Sequence, residues 1–288
     1  MKNMKNVIIV GSGPAGISAA LYLQRSSKFR VTVISSGQSA LHKAEKIENY
    51  YGFAEPITGK QLYENGVEGA RRLGVEFIAE EVVSLEYDMD MRPVVITAAG
   101  RYTADDVILA TGTSRKTLRI PGVTEYEGRG VSYCAVCDAF FYRGKPVCVI
   151  GSGEYAMHEA QTLSAACQSV TILTNGQEMT ADVPENIGVN TKKLVSVDGG
   201  QTVSGVSFED GSSLEVSGVF MALGVAGSAD LARKVGAETE NGRIKTDEKM
   251  HTSLPHLYAA GDCTGGTLQV YKAVFEGAVA AAEIIKSK

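Results

Sequence analysis

The chain has 288 residues, 44% of them apolar, which is enough to bury a sizeable core and to form two domains of ordinary size. Its 28 Lys and Arg against 33 Asp and Glu give a formal charge of −5, without the basic excess that binding a phosphate backbone requires, so nucleic acid is not an expected partner. No apolar run approaches the roughly 20 residues that cross a bilayer, and the opening residues lead straight into a short apolar segment, unlike a signal peptide; a cytoplasmic protein with no membrane partner is expected.

In chain order, the first expected element is a strand over residues 7–10, wholly apolar. It runs into Gly11-Ser12-Gly13-Pro14-Ala15-Gly16 and a helix over 17–24. Further apolar strands are expected at 31–34 and 107–110, the latter ending in Ala110-Thr111-Gly112. The same unit then recurs: Val147-Cys148-Val149-Ile150-Gly151-Ser152-Gly153 repeats the first strand and loop, a helix follows over 157–166, and strands at 170–173 and 219–222 echo the others. Such fully apolar, β-rich runs fit strands buried on both faces of a parallel sheet, so the expected fold is α/β with two dinucleotide-type, three-layer units. The second unit is about 28 residues shorter between its loop and its third shared strand. After it come a strand at 257–260, ending in Gly261-Asp262, and a helix over 269–286. The second unit is therefore read as inserted in the first, with a discontinuous domain of residues 1–117 and 247–288 around a central domain of 118–246.

A glycine loop between a buried strand and a helix brings backbone N–H groups and the positive helix end against a diphosphate. Alternatively it is a plain turn of a sheet that binds nothing. Asp262 suits a bond to a ribityl hydroxyl, with the following helix end near a flavin; it is equally a turn residue. The pair Cys134-Ala135-Val136-Cys137 puts two thiols within bonding distance beside Asp138, which suits thiol–disulfide exchange with a nearby proton carrier. Half of a zinc site is the rival reading, but Cys148, Cys167 and Cys263 offer no matching pair and the four histidines no ligand spacing, so no metal is expected.

Over nearly its whole length the chain resembles the low-molecular-weight thioredoxin reductases. The resemblance rests on the first glycine loop, Ile47-Glu48-Asn49-Tyr50, Ala110-Thr111-Gly112, the run from Gly128 to Asp138, and Ala259-Ala260-Gly261-Asp262. It implies FAD held by Gly11, Ser12, Gly13, Pro14, Ala15, Gly16, Asn49, Ala110, Thr111, Gly112, Gly261, Asp262 and Gln269. It further implies that Cys137 faces the flavin, Cys134 attacks the external disulfide of thioredoxin or a thioredoxin-like protein, and Asp138 carries the proton. A homodimer and a central domain that rotates on linkers near 117–122 and 241–246 are also implied.

The departures point to a particular donor. Where NADPH-dependent members carry a His-Arg-Arg run, this chain has Thr174-Asn175-Gly176, with neither a cation for a 2′-phosphate nor an acid for a ribose. Tyr155 brings bulk to the second glycine loop, and Gly224-Val225-Ala226-Gly227 replaces a Gly-His-x-Pro segment. The chain is most similar to the ferredoxin-dependent flavin thioredoxin reductases, sharing Gly261-Asp262-Cys263-Thr264-Gly265, Gln269 and Lys272-Ala273, although it keeps Gly151, Gly153 and Ala156. Reduced ferredoxin is thus the implied donor, an acidic one suiting Arg115, Lys116 and Arg119 if these form a patch rather than a solvated face. The alternatives are an NADPH-dependent reductase with an atypical nucleotide site and a non-catalytic flavin/thiol redox sensor.

Overall fold

A computed structural model describes residues 4–37, 39–112 and 118–287, so Arg115, Lys116 and the start of the first expected linker lie outside the described residues. The chain forms two compact units, Met1–Ser114 with Gly227–Lys288 and Arg115–Ala226.

The first unit opens with β1 (Lys5–Val10), α1 (Pro14–Arg25) and β2 (Phe29–Ile34), followed by α2 (Gly59–Arg72) and β3 (Glu76–Ile78). Thr58 starts α2 with a capping box, its hydroxyl accepting from Gln61 N–H while the Gln61 carboxamide accepts from Thr58 N–H. An antiparallel meander of β4 (Val82–Tyr87), β5 (Pro93–Thr97) and β6 (Arg101–Thr103) leads to β7 (Asp106–Leu109). β1 lies between β2 and β7 in parallel register, Ile9 opposite Val33 on one side and Ile108 on the other. All three residues are fully buried, which explains the apolar run at the centre of each of these strands.

The second unit contains β8 (Val131–Ser132), α3 (Ala135–Asp138), β9 (Pro146–Ile150), α4 (Glu154–Ser164), β10 (Ser169–Leu173) and β11 (Gly188–Asn190). A second meander, β12 (Leu194–Gly199), β13 (Val203–Phe208) and β14 (Ser213–Glu215), precedes β15 (Gly218–Met221). Its parallel sheet has the order β11-β10-β9-β15-β8. β9, β10 and β15 repeat β1, β2 and β7, so the internal repeat is a repeat of structure. The trimming falls between β10 and β11, which are joined without a helix corresponding to α2.

The chain then returns to the first unit through α5 (Ser228–Lys234), the hairpin β16 (Thr239–Glu240) and β17 (Arg243–Ile244), β18 (Leu257–Ala259) and α6 (Val270–Lys286). β18 pairs with β7, completing the parallel order β18-β7-β1-β2-β3. α6 packs on α1, with buried Ala280, Ala281 and Ile284 joining Ala19, Ala20 and Leu23 in one core. Where the sequence places this return at residue 247, the compact unit already takes it up at Gly227. The tie is made by contacts distant in the chain: Lys234 donates to Val83 O at 2.7 Å, and Thr111 is hydrogen-bonded to Ser228. Among the described residues no helix is long and apolar enough to cross a membrane, and no group of three or more His, Cys, Asp or Glu is placed to hold a metal.

Candidate active site

In the first unit, β1, β7 and β18 end side by side, and each is followed by one of the expected site segments. Such C-terminal strand edges are where open parallel sheets bind ligands. After β1, Gly11 turns at φ +108° with its N–H on Ile34 O at 2.9 Å. A Cβ there would stand 2.5 Å from Ala110 O, and one at Gly16 would stand 2.0 Å from Gly11 O, so both positions require glycine for close approach. Pro14 occupies the first turn of α1, no side chain caps that helix, and its first turn carries no acid. A Cβ at Gly13 would meet only Ser39 Oγ, at 3.9 Å, which leaves the loop open at its cap. An uncapped, acid-free helix start behind an open glycine is a cradle for an anion, and the diphosphate of a flavin dinucleotide fits it.

The flanking residues fix this cradle. Ser12 is buried, and its hydroxyl lies 2.9 Å from both Ser35 Oγ and Tyr63 OH, so the side chain ties the loop to the end of β2 and to α2. Buried Ala15 packs against α6. After β7, Ala110 N–H donates to Val10 O at 2.8 Å, and Thr111 N–H reaches Ser228 Oγ at 3.0 Å. Gly112 follows in the left-handed region, φ +73°, with nothing within 4 Å of a Cβ. Asn49 and Gln269 are exposed, the first in the loop closed by the Ile47–Ile57 bridge and the second at the start of α6.

After β18, Gly261 and Asp262 are held by a pair that sequence reasoning passes over. Glu276 Oε2 accepts from Gly261 N–H at 2.8 Å and from Thr264 Oγ1 at 2.9 Å; Lys272 donates to Gly261 O at 2.8 Å and lies 3.0 Å from Glu276. Burial raises the Asp262 carboxyl above the ordinary carboxylate range, against the opposing charge of Lys272. The i,i+4 spacing of Lys272 and Glu276 on α6 was the available signal, but such spacing is usually a surface pair; here the two side chains are only 14% and 11% exposed. Glu276→Ala leaves Lys272 without its carboxylate partner and is expected to cost about 3 kcal/mol, read as a lower unfolding midpoint, with Glu276→Gln milder because it keeps an acceptor for Gly261.

In the second unit, Cys134 and Cys137 are joined by a disulfide at the start of α3. Cys134 is 5% exposed, whereas Cys137 is exposed. Cys137 N–H points at Cys134 Sγ, 3.2 Å away, and Cys134 N–H donates to Ser132 Oγ at 3.1 Å. Ser132 in turn donates to Asp138 Oδ2 at 2.6 Å, placing the expected proton carrier one hydroxyl from the pair. Phe140 and Phe141 follow after Ala139 and are 75% and 68% exposed.

The second glycine loop differs from the first in what surrounds it. Glu154 puts an acid in the first turn of α4, where negative charge opposes a bound phosphate. Thr180 lies across the loop, its N–H and hydroxyl both on Ser152 O at 2.8 and 3.1 Å, and Ser152 Oγ donates to Gln177 Oε1 at 2.9 Å. Tyr155, expected to bring bulk to this loop, is buried at 2% exposure. Beyond β10, Asn175 is consumed by the fold, its carboxamide oxygen accepting from Leu194 N–H at 2.8 Å. Lys192 and Lys193, next to this turn, are paired with Asp210 at 2.7 Å and Glu209 at 3.8 Å.

Comparison with known proteins agrees with this architecture. Residues 5–277 match the model of the pyridine nucleotide-disulphide oxidoreductase family. The thioredoxin reductase of Aquifex aeolicus is 34% identical over 275 residues, covering 89% of this chain and 84% of that protein. Among solved structures, the atypical thioredoxin reductase TRi from Desulfovibrio vulgaris Hildenborough is 37% identical with a TM-score of 0.91, covering 99% of both chains. A ferredoxin-flavin thioredoxin reductase from Clostridium acetobutylicum is 32% identical with a TM-score of 0.73, covering 99% of this chain and 98% of that one. With two dinucleotide-type units, one open glycine cradle and one Cys-x-x-Cys disulfide, the chain belongs to the pyridine nucleotide-disulphide oxidoreductases, among the thioredoxin reductases, and is a flavin disulfide oxidoreductase.

Proposed function

We propose that this chain is a thioredoxin reductase that holds FAD at its first glycine loop and is fed by a reduced ferredoxin, not by a pyridine nucleotide. The observation that carries the donor is the second glycine loop, where Glu154 faces the helix start and Thr180 is bonded across Ser152. The glycine kept there has a packing reason: a Cβ at Gly151 would stand 2.2 Å from Ala222 O, so glycine is needed whether or not a nucleotide binds. Likeness to a ferredoxin-flavin thioredoxin reductase supports the same donor.

Bound FAD supplies a centre that takes up single electrons and passes on two. Residues 11–16 would receive its diphosphate, Ala110, Thr111 and Gly112 would line the adjoining strand end, and Gly261 with Asp262 would meet its ribityl chain, flanked by Asn49 and Gln269. Cys137 is the thiol for the flavin side and Cys134 the one for the substrate disulfide. The N–H of Cys137 on Cys134 Sγ stabilises charge on that sulfur, which favours its use as nucleophile. Asp138 and Ser132 form the proton path to the pair. Cys134 is buried, so a movement must uncover it before thioredoxin arrives; exposed Phe140 and Phe141 then give an apolar surface beside it. The resemblance supports a homodimer as the working form. The energetics are favourable, since from a ferredoxin near −400 mV to a thioredoxin near −270 mV two electrons release roughly 6 kcal/mol.

The test is steady-state turnover of thioredoxin. With reduced ferredoxin, rates of order 1 s⁻¹ or more are expected, and with NADPH or NADH under 1% of that rate. Thioredoxin-dependent oxidation of NADPH at a comparable rate would refute the donor.

A further inference from the structure

The Cys134–Cys137 turn is held from its far side by a residue the reaction has not yet used. Glu159, on α4, is 1% exposed, and its Oε2 accepts the N–H of Ala135 at 2.8 Å. Ala135 is the first residue of α3, directly after Cys134. On the other side Cys134 N–H is taken by Ser132, itself bonded to Asp138. Two successive N–H groups at this helix start are thus bonded to protein oxygens and are not available to a sulfur. N–H groups there are the ones that stabilise a thiolate, and the more a dithiol's reduced form is stabilised, the weaker a reductant it becomes. A carboxyl group one residue from Cys134 acts in the same direction, because negative charge nearby opposes a second charge on sulfur.

We propose that Glu159 is a positioning residue for the redox pair: by taking the Ala135 N–H it fixes the Cys134 turn and keeps the dithiol strongly reducing. The inference rests on Cys134–Cys137 being the working disulfide and is independent of the electron donor. Sequence alone hides the contact, since Glu159 reads as one more polar residue of a helix and meets Ala135 only through the packing of α4 on α3.

The test is equilibration of the FAD-loaded protein with reduced and oxidised glutathione. Protein dithiol and oxidised glutathione are weighed against protein disulfide and two glutathione molecules, and the state of Cys134 and Cys137 is read by alkylation and mass. Glu159→Met keeps roughly the side chain's volume but removes both the acceptor for the Ala135 N–H and the acid. Its equilibrium is expected to shift at least tenfold toward the dithiol, equivalent to about 30 mV, with flavin content unchanged. A constant within twofold of the parent's, with flavin bound, overturns the proposal. Should that variant fail to hold flavin, infrared difference spectra of the parent protein carrying ¹³C-labelled glutamate decide instead. A labelled carboxyl band that moves when the disulfide is reduced supports the role of Glu159, and labelled bands that stay still refute it.

Discussion

Replacing Cys134 by Ser is expected to abolish thioredoxin reduction, a loss on the order of 10³-fold or more, while the purified protein keeps its full complement of flavin. The activity should vanish because Cys137 is left without its partner and none of the three cysteines outside the pair can replace Cys134. Burial pushes the Cys263 thiol up to about 12 and that of Cys148 higher still, and both are wholly enclosed. Cys167 is half-buried and also raised by burial. Neither enclosed thiol offers an accessible thiolate near neutral pH, and it is the thiolate that attacks. Flavin content should survive because the cradle of residues 11–16 and the redox pair belong to different compact units. Thioredoxin turnover, with the flavin-to-protein ratio from the visible spectrum, reads both halves. Residual turnover above about 1% of the parent's would assign the attack on thioredoxin to another group, and a non-catalytic redox sensor would lose nothing measurable.

Gly16→Ala should have the next largest effect, and in the opposite place. The new Cβ would sit 2.0 Å from Gly11 O, a backbone atom that cannot yield without opening the turn between β1 and α1. The expected cost is on the order of 3 kcal/mol, with most of the flavin lost, since the N–H groups proposed to cradle the diphosphate share that turn. Gly151→Ala, which brings its Cβ to 2.2 Å from Ala222 O, is the natural comparison. It should destabilise the second unit to a similar degree yet leave flavin content near that of the parent. Equal flavin loss from both substitutions would argue against the first loop as the cofactor's seat.

How far the sequence could be read follows from which interactions are local. The strands β1, β2, β7, β9, β10 and β15 were legible because each centres on a run of buried, mainly apolar residues, the mark of strands covered on both faces. The β4–β6 and β12–β14 meanders were not, because short antiparallel strands such as β6 and β14, with mixed burial, leave only a weak alternation. Helix α5 has seven residues, and its place in the first unit depends on contacts with Val83 and Thr111, far away in the chain. The redox pair and the first glycine loop were legible since both are contiguous. Glu159 and Glu276 were not, because each acts on a backbone group reached only through tertiary packing. Glu154 was readable, because an acid in the first turn after a glycine loop already argues against a phosphate there.

In the proposed reaction electrons enter through the flavin from ferredoxin and bypass the second glycine loop. An anaerobic titration of the flavin-loaded protein, followed at the flavin absorption band, tests it most directly. Reduced ferredoxin should bleach the band after delivery of four electrons per chain, two for the flavin and two for the Cys134–Cys137 disulfide, while a tenfold excess of NADPH should leave the spectrum unchanged. Prompt bleaching by stoichiometric NADPH would refute ferredoxin as the donor.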